Sequence, residues 1–221
     1  MPALFEAVRD HLEEGTVLTD VGSTKGSVVA AARASLGEHL PGFVPAHPIA
    51  GTECSGVEAS FATLFQQRRV ILTPLPENRP AHIARVREMW ALVGSELTEM
   101  SVEHHDEVLA ATSHLPHMLA YTLVDTLARM RDKDEIFDYA AGGFRDFTRI
   151  ASSDPVMWRD VCLSNRDAIL AMIARFQGDL AELAEAIASG HDERLHQVFT
   201  RAKAARDRYA GRLEAAGEVS E

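Results

Sequence analysis

The sequence is short of cysteine, of positive charge and of long apolar runs. Its 221 residues contain two cysteines, Cys54 and Cys162, which lie far apart and without a Cys-x-x-Cys spacing. Neither a disulfide framework nor a cysteine-ligated zinc site is therefore predicted. No apolar stretch reaches the about 18 residues that a membrane span requires, and the helix-like segment 3–14 carries charges that a signal peptide would lack. These absences predict a cytoplasmic protein that does not enter a membrane.

The charge balance is acidic, with 33 acidic and 22 basic residues and a formal net charge of −11 at pH 7. Such a surface repels phosphate backbones and anionic headgroups, so we expect neither nucleic acid nor a membrane surface as a partner. The hydrophobic share of 46% is enough for a buried core in a chain of this length. An anionic small molecule would have to be held by a few local cations.

The first hundred residues alternate between helix and strand signals. In chain order they predict a helix (3–14), a strand (16–21), a glycine turn (22–26), a helix (27–36), a strand (70–72), a helix (80–93) and an edge strand (96–100). A strand, a glycine turn and a helix form the unit of a parallel sheet, whose ligands bind beyond the carboxyl ends of the strands. This part of the chain therefore predicts an α/β domain over 1–100.

The remaining residues predict helices only. Ser101 is a candidate N-cap, and the long helix that follows contains Pro116, which should kink it. Residues 132–152 have the composition of a loop. Helices are then predicted from Pro155 to about Gly190 and over 192–216. We expect a second, all-α domain over 101–221.

His47 opens the segment His-Pro-Ile-Ala-Gly-Thr-Glu-Cys-Ser-Gly (47–56), where an apolar lead-in gives way to a polar loop. A neutral imidazole is well suited to exchange a proton near pH 7, so His47 is a candidate base. Ser23 lies in the glycine turn after the strand 16–21, and a parallel sheet would bring both residues to one crevice. The alternative is that His47 only closes a turn.

Five segments, in this order and spacing, resemble the prephenate dehydrogenase family, which includes arogenate and cyclohexadienyl dehydrogenases. They are DVGSTKG (20–26), HPIAGTECSG (47–56), VILTP (70–74), SHLPH (113–117) and GGFRDFTRIASSDPVMW (142–158). The resemblance implies a partial doubly wound, Rossmann-like parallel sheet, followed by an all-α domain that binds substrate and forms a homodimer. Residues 1–100 would then be the C-terminal portion of a dinucleotide-binding domain.

The reaction that the resemblance implies is the oxidative decarboxylation of prephenate, or of arogenate, in tyrosine biosynthesis. The cofactor would be NAD or NADP, and the product 4-hydroxyphenylpyruvate or tyrosine. Removing a hydride from a carbon that bears a hydroxyl requires an acceptor for the hydroxyl proton, which is the role expected of His47.

The resemblance also assigns roles residue by residue. His47 and Ser23 match the family's catalytic residues, with Ser23 orienting the imidazole, and Ser23 and Gly51 match cofactor-binding positions. The matches to substrate-binding positions are Thr52, Glu53, Ser113, His114, His117, Arg149 and Trp158. Arg149 would hold a carboxylate of the substrate through its planar fork.

Each of these residues also has a structural interpretation. His114 and His117 could be core histidines, Trp158 a core aromatic, and Arg149 half of an ion pair with Asp146 or Asp154. Ser23 and Lys25 could simply stabilise a turn. Cys54 has no orienting partner in sequence reach and is a poor candidate nucleophile. The residues His104, His105, Asp106, His114 and His117 suggest a metal-dependent hydrolase, yet ten helical residues separate His104 from His114 by ~15 Å, too far for one ion.

One departure from the family pattern is plain: the sequence has no Gly-x-Gly-x-x-Gly. The family has two opening βαβ units, roughly 70 to 80 residues, before the point where this chain begins. We therefore expect either a piece of a longer enzyme or an inactive truncated chain that serves as a helical dimerisation module. For the chain by itself we expect a poorly protected first half without measurable dinucleotide binding.

Overall fold

The computed structural model describes residues 1–51 and 56–215, and the chain divides into two compact units, 1–172 and 173–221. The helices are α1 (Pro2–Arg9), α2 (Gly26–Ser35), α3 (Pro80–Leu92), α4 (Val102–Leu109), α5 (Leu115–Ala128), α6 (Lys133–Asp138), α7 (Gly142–Thr148), α8 (Pro155–Ser164), α9 (Arg166–Ala188) and α10 (Asp192–Ala215). The strands are β1 (Ala46–Pro48), β2 (Arg69–Leu72) and β3 (Glu96–Glu99). Across the described ranges, no helix combines the length and apolar character of a membrane span.

The three strands form one sheet in the order β1-β2-β3. β2 and β3 are parallel and are connected through α3, as a βαβ unit requires. β1 pairs antiparallel with β2, with His47 opposite Ile71. The described residues between β1 and β2 contain one short 3-10 turn (57–59) and no crossover α-helix, which is why the chain can return antiparallel. The predicted α/β class followed by helices is confirmed, with a mixed sheet in place of a wholly parallel one.

The predicted strand 16–21 is reduced to one parallel bridge between Leu18 and Phe43. The amide of Leu18 donates to the carbonyl of Gly42 and that of Val44 to the carbonyl of Leu18, both at 2.9 Å. A Cβ on Gly42 would lie 2.5 Å from the carbonyl oxygen of Thr16, so only glycine permits this approach. The bridge extends the sheet by one segment and brings residues 19–25 beside β1.

Two apolar cores support the sheet. Val28, Val29 and Ala32 of α2, together with Leu36 just after it, pack with Phe5 of α1. Helix α1 is shorter than the predicted helix 3–14. The second core joins β1 and β2 to one face of α3; its buried members are Val44, Ala46, Val70, Leu72, Val86 and Trp90. Burying side chains of this size stabilises the fold by about 1.5 to 3 kcal/mol each.

The long helix predicted after Ser101 is interrupted, as Pro116 indicated. Ser101 is the N-cap of α4, and its hydroxyl accepts the amide of His104 at 3.1 Å. Between α4 and α5 the chain makes a π turn (Ala110–His114), which places Pro116 in the first turn of α5, where a missing amide donor costs little. The π turn also buries His114, which is 1% exposed.

The prediction of a loop over 132–152 is wrong, because α6, α7 and a 3-10 turn (Arg149–Ser152) occupy most of it. Helices of six and seven residues are too short to show a clear apolar period. The glycine pair starts α7, and the rings of Phe137 and Phe144 meet edge to face at 6.0 Å. The predicted start at Pro155 is confirmed, since the side chain of Asp154 accepts the amide of Met157 at 2.7 Å.

The unit 173–221 contains the end of α9 and α10. Arg194 pairs with Glu182 at 2.8 Å on its surface. Ala186 is buried, whereas Leu180, Ile187 and Phe199 are more than half exposed. The unit therefore presents apolar side chains to its surroundings.

Candidate active site

A buried ion pair closes the turn in front of α2. The Lys25 ammonium donates to Asp20 and, at 2.7 Å, to the carbonyl of Ala46, while Asp20 accepts the amide of Ala46 at 3.1 Å. Burial lowers the pKa of Lys25, because it outweighs the attraction of Asp20 and Asp106. The pair fastens the turn to the strand that carries His47. The expectation that Lys25 stabilises the turn is confirmed.

Asp106 of α4 caps the N-terminus of α2. Its carboxylate accepts the amides of Lys25 and Gly26, each at 2.8 Å. A Cβ on Gly26 would lie 2.9 Å from Oδ2 of Asp106, so the close approach requires glycine. Burial alone would raise the pKa of Asp106, but hydrogen bonds from His105 and from these amides outweigh it and lower the pKa. Asp106 is thus an anion held at the positive end of a helix.

His47 lies in β1 with its ring directed at α4. Its Nδ1 is 2.9 Å from Nε2 of His105, and Nδ1 of His105 is 2.8 Å from Oδ1 of Asp106. His47 is 9% exposed and His105 is fully buried. The three side chains form a hydrogen-bonded row from the sheet into the helical part of the unit 1–172.

Burial lowers the pKa of His47 to about 3, and the positive potentials of His105, Lys25 and His114 lower it further. The imidazole is therefore neutral at physiological pH and keeps one nitrogen lone pair. A ring with so low a pKa acts as a hydrogen-bond acceptor towards a hydroxyl. It takes the proton only while the hydroxyl becomes more acidic during the reaction.

His114 and His117 extend the row of imidazoles along the π turn and α5. Asn165 donates to Nδ1 of His114 at 3.1 Å and to the backbone carbonyl of Asp106 at 2.8 Å. Burial lowers the pKa of His114 to about 4 and also lowers the pKa of His117. His117 donates from Nδ1 to the carbonyl of Ser113 at 2.9 Å, which leaves its Nε2 as an acceptor.

Trp158 of α8 covers this group of histidines. Its ring stacks on His117 at a centroid distance of 3.7 Å and meets His114 edge on at 6.0 Å. Trp158 is buried, and its indole N–H has no hydrogen-bond partner in the part of the chain that the structure describes. Such a donor is suited to a polar ligand atom.

The other predicted site residues have the following places in the structure. Ser23 is half-buried in the turn, and within the described ranges the hydrogen-bond partner of His47 Nδ1 is His105. Arg149 is exposed where the 3-10 turn begins. Gly51 is exposed, and Thr52, Glu53 and Cys54 lie outside the described residues. The structure thus brings together His47, His114, His117 and Trp158 and leaves the roles of Ser23 and Arg149 as predictions.

The pattern of His104, His105 and Asp106 suggested metal ligands, but in the structure two of these residues form hydrogen bonds within the site. His105 and Asp106 bond to each other and to His47, while His104 is exposed and 3.9 Å from Glu107. Among residues 1–51 and 56–215, no three His, Cys, Asp or Glu side chains are grouped to hold a metal ion.

Comparisons with known proteins identify the family of the chain. The family model described as "prephenate dehydrogenase, nucleotide-binding domain" matches residues 1–99. The model described as "prephenate dehydrogenase, dimerization domain" matches residues 101–201. The cyclohexadienyl dehydrogenase of Zymomonas mobilis is 41% identical over 208 residues, which are 93% of this chain and 70% of that protein. The chain belongs to the prephenate dehydrogenase family.

Further members of the prephenate dehydrogenase family show how much of such a protein this chain spans. It is 36% identical to the prephenate dehydrogenase of Bacillus subtilis over 92% of its own length and 55% of that relative. The structure of the Aquifex aeolicus prephenate dehydrogenase in complex with hydroxyphenyl propionate and NAD+ superposes with a TM-score of 0.88 at 40% identity, covering 94% of this chain and 72% of the other. The Synechocystis arogenate dehydrogenase gives a TM-score of 0.81 at 27% identity.

This prephenate dehydrogenase family member contains little of a dinucleotide cradle in its described residues. The helix that follows the Leu18 segment and its glycine turn is α2, but its first free amides are bonded to Asp106. The start of α2 therefore offers no free amides to a phosphate, and the sequence contains no glycine fingerprint that would bind the pyrophosphate.

Asn165 and the pairing of His105 with Asp106 are the parts of the site that the sequence did not indicate. Asn165 lies at the break between α8 and α9. The spacing of the apolar residues continues across this break, so nothing in the sequence indicates it. The dipeptide His105-Asp106 carried a signal, because a buried carboxylate beside a histidine commonly orients its ring. That signal became specific only when the fold placed His47 against it.

Proposed function

We propose that this chain provides the substrate side of an oxidative decarboxylation of prephenate or arogenate, with a nicotinamide dinucleotide as hydride acceptor. The observation that supports it most is the neutral His47, buried in the middle of β1 and held by His105, in a chain that belongs to the prephenate dehydrogenase family. Rates measured with NAD+ and NADP+, and with prephenate and arogenate, distinguish the two cofactors and the two substrates.

In this reaction His47 has one role, which is to accept the proton of the substrate hydroxyl and return it. As the carbon that bears the substrate hydroxyl loses a hydride, its oxygen becomes a carbonyl and the hydroxyl proton must be accepted. The carboxylate on the opposite ring carbon then leaves as CO2. The electron pair of the broken bond moves into the ring, which becomes aromatic, and the carbonyl oxygen becomes a phenolate that takes up a proton. His47, neutral because of its low pKa, accepts the proton and gives it back.

We assign the remaining predicted residues by position. Ser23 would orient His47 and border the nicotinamide together with Gly51. His114, His117 and Trp158, whose rings contact one another, would face the substrate ring. Ser113, Thr52, Glu53 and Arg149 complete the substrate contacts, with Arg149 binding a carboxylate. Glu53 would pair with the ammonium group that distinguishes arogenate from prephenate.

We also propose that residues 1–100 belong to a dinucleotide-binding domain and 101–221 to a helical domain that forms a homodimer. The match of 101–201 to a dimerization domain supports this. So do the exposed apolar side chains of Leu180, Ile187 and Phe199.

The assay supplies prephenate or arogenate with NAD+ or NADP+ and follows reduced dinucleotide and CO2 together. It is run on the 221-residue chain and on the gene product with any residues that precede Met1 in its reading frame. Equal amounts of CO2 and reduced dinucleotide from one substrate would support the proposal. A folded gene product that yields neither with any of the four combinations would contradict it and favour the dimerisation module.

Arg149→Ala should raise KM about tenfold or more with little change in kcat, because a hydrogen bond between charged groups contributes about 1.5 to 3 kcal/mol. The matched control is Arg145→Ala, an exposed arginine one turn earlier that pairs with Asp146 at 3.4 Å. The measurement is steady-state kinetics together with a melting curve. An unchanged KM with a lowered melting temperature would make Arg149 a structural residue.

A further inference from the structure

In the row His47, His105, Asp106, the hydrogen bonds define which atom donates and which accepts at each contact. Asp106 receives donors on both oxygens: the amide of Lys25 and the ring of His105 reach Oδ1, and the amide of Gly26 reaches Oδ2. A carboxylate only accepts hydrogen bonds, so the nitrogen of His105 that faces it, Nδ1, carries a proton. The cap on α2 keeps this carboxylate in place.

His105 transmits this constraint to His47. The ring of His105 is 0% exposed and lies between the carboxylate of Asp106 and the ring of His47. A neutral imidazole with a proton on Nδ1 has a bare Nε2, and this atom is 2.9 Å from Nδ1 of His47. The bond between them can form only if His47 donates from Nδ1. The lone pair of His47 is then on Nε2.

We propose that His105 and Asp106 are positioning residues that fix His47 in the tautomer with a proton on Nδ1 and a bare Nε2. Their catalytic meaning rests on the proposed function, since a bare Nε2 is what accepts a substrate proton. The tautomer itself is a property of the resting protein. The two residues act through His47 and contact no substrate.

The arrangement explains why a residue with a low pKa is useful here. A free neutral imidazole exchanges between two tautomers, and only one presents the lone pair to the hydroxyl. Holding one tautomer means that every resting molecule presents the lone pair before substrate arrives. An aspartate preorganises the histidine of a Ser-His-Asp triad in the same way.

The direct test is long-range ¹H–¹⁵N NMR of the histidine rings in the 221-residue chain at pH 8, where both nitrogens of each ring are observed. The expected spectrum shows His47 and His105 protonated on Nδ1 and bare on Nε2, with a coupling across the hydrogen bond between Nδ1 of His47 and Nε2 of His105. A His47 protonated on Nε2 would overturn the proposal. This reading needs neither cofactor nor turnover, so it stands apart from the test of the proposed function.

Two variants separate positioning from simple packing. His105→Gln retains an oxygen that can accept from His47 and an amide that can donate to Asp106, so the His47 tautomer should persist. His105→Phe retains the ring shape but offers no acceptor, so the fixed tautomer should be lost. An unchanged His47 tautomer in His105→Phe would overturn the role of His105. Should the Phe variant not fold, the coupling across the hydrogen bond in the parent protein still decides.

In the active gene product, His105→Phe should lower kcat with little change in KM, by at most the about 10⁴-fold that a wrong histidine tautomer costs a serine protease. His105→Gln should recover most of it. Equal losses in both variants would mean that His105 acts only as packing.

Discussion

His47→Asn should lower kcat by about 100- to 10,000-fold and leave KM nearly unchanged. The asparagine amide can donate to Nε2 of His105, which lies 2.9 Å from the atom it replaces, so the fold around β1 should persist. The asparagine has no atom at the position of the imidazole Nε2, so nothing takes the proton of the substrate hydroxyl. Binding and turnover should therefore separate.

The measurement is steady-state kinetics of the active gene product, with an isotope effect from deuterated substrate to show that hydride transfer has become slower. His104→Asn is the matched control, because His104 precedes the row on the same helix and is exposed. A His47→Asn enzyme that turns over within a few-fold of the parent would remove His47 from the proton transfer.

Mild acid should destabilise the chain through its buried histidines. The pKa of His47 is lowered to about 3 and that of His114 to about 4, whereas an unfolded chain protonates both near pH 6.5. Between these values the unfolded state binds more protons, so stability is present above pH 6.5 and is lost as the pH falls. At pH 5 each histidine should have cost about 2 kcal/mol of unfolding free energy relative to pH 8.

Urea unfolding at pH 8, 6 and 5 tests this. His114→Gln should be less stable than the parent at pH 8, since it disturbs the bond to Asn165, but it should lose about 2 kcal/mol less between pH 8 and pH 5. His104→Gln replaces an exposed histidine and should keep the parent's pH dependence. Identical pH dependence of the parent and His114→Gln would mean that His114 titrates as it does when unfolded.

The sequence predicted most of the elements because their signals are local. Ser101 caps the helix it was expected to cap, a helix begins at Pro155 as predicted, and the edge strand near Glu96 is present. The region 132–152 was missed because its helices are shorter than two apolar periods. The strand at 16–21 shrank to one bridge, since pairing depends on neighbours and not on the segment alone.

The sequence indicated which residue types belong to the candidate site, but not the hydrogen bonds that connect them. His47, His117 and Trp158 were named by motif, and the structure shows the latter two stacked. The bonds from Asp106 to the first amides of α2 join residues 80 or more positions apart, and no periodicity reports such a contact. The tautomer of His47 depends on those bonds.

The π turn sets which side of the helix pair each histidine occupies. His105 and His114 are nine residues apart, and at about 100° per residue an unbroken α-helix would point them in opposite directions. A π turn accommodates about one extra residue, so the two behave as if eight apart, roughly 80° from each other. The register of this helix is therefore as much a determinant of the site as any side chain in it. A regular α-helix through 110–114, with no residue removed, would instead turn His114 about 100° further from His105, although every histidine was still present.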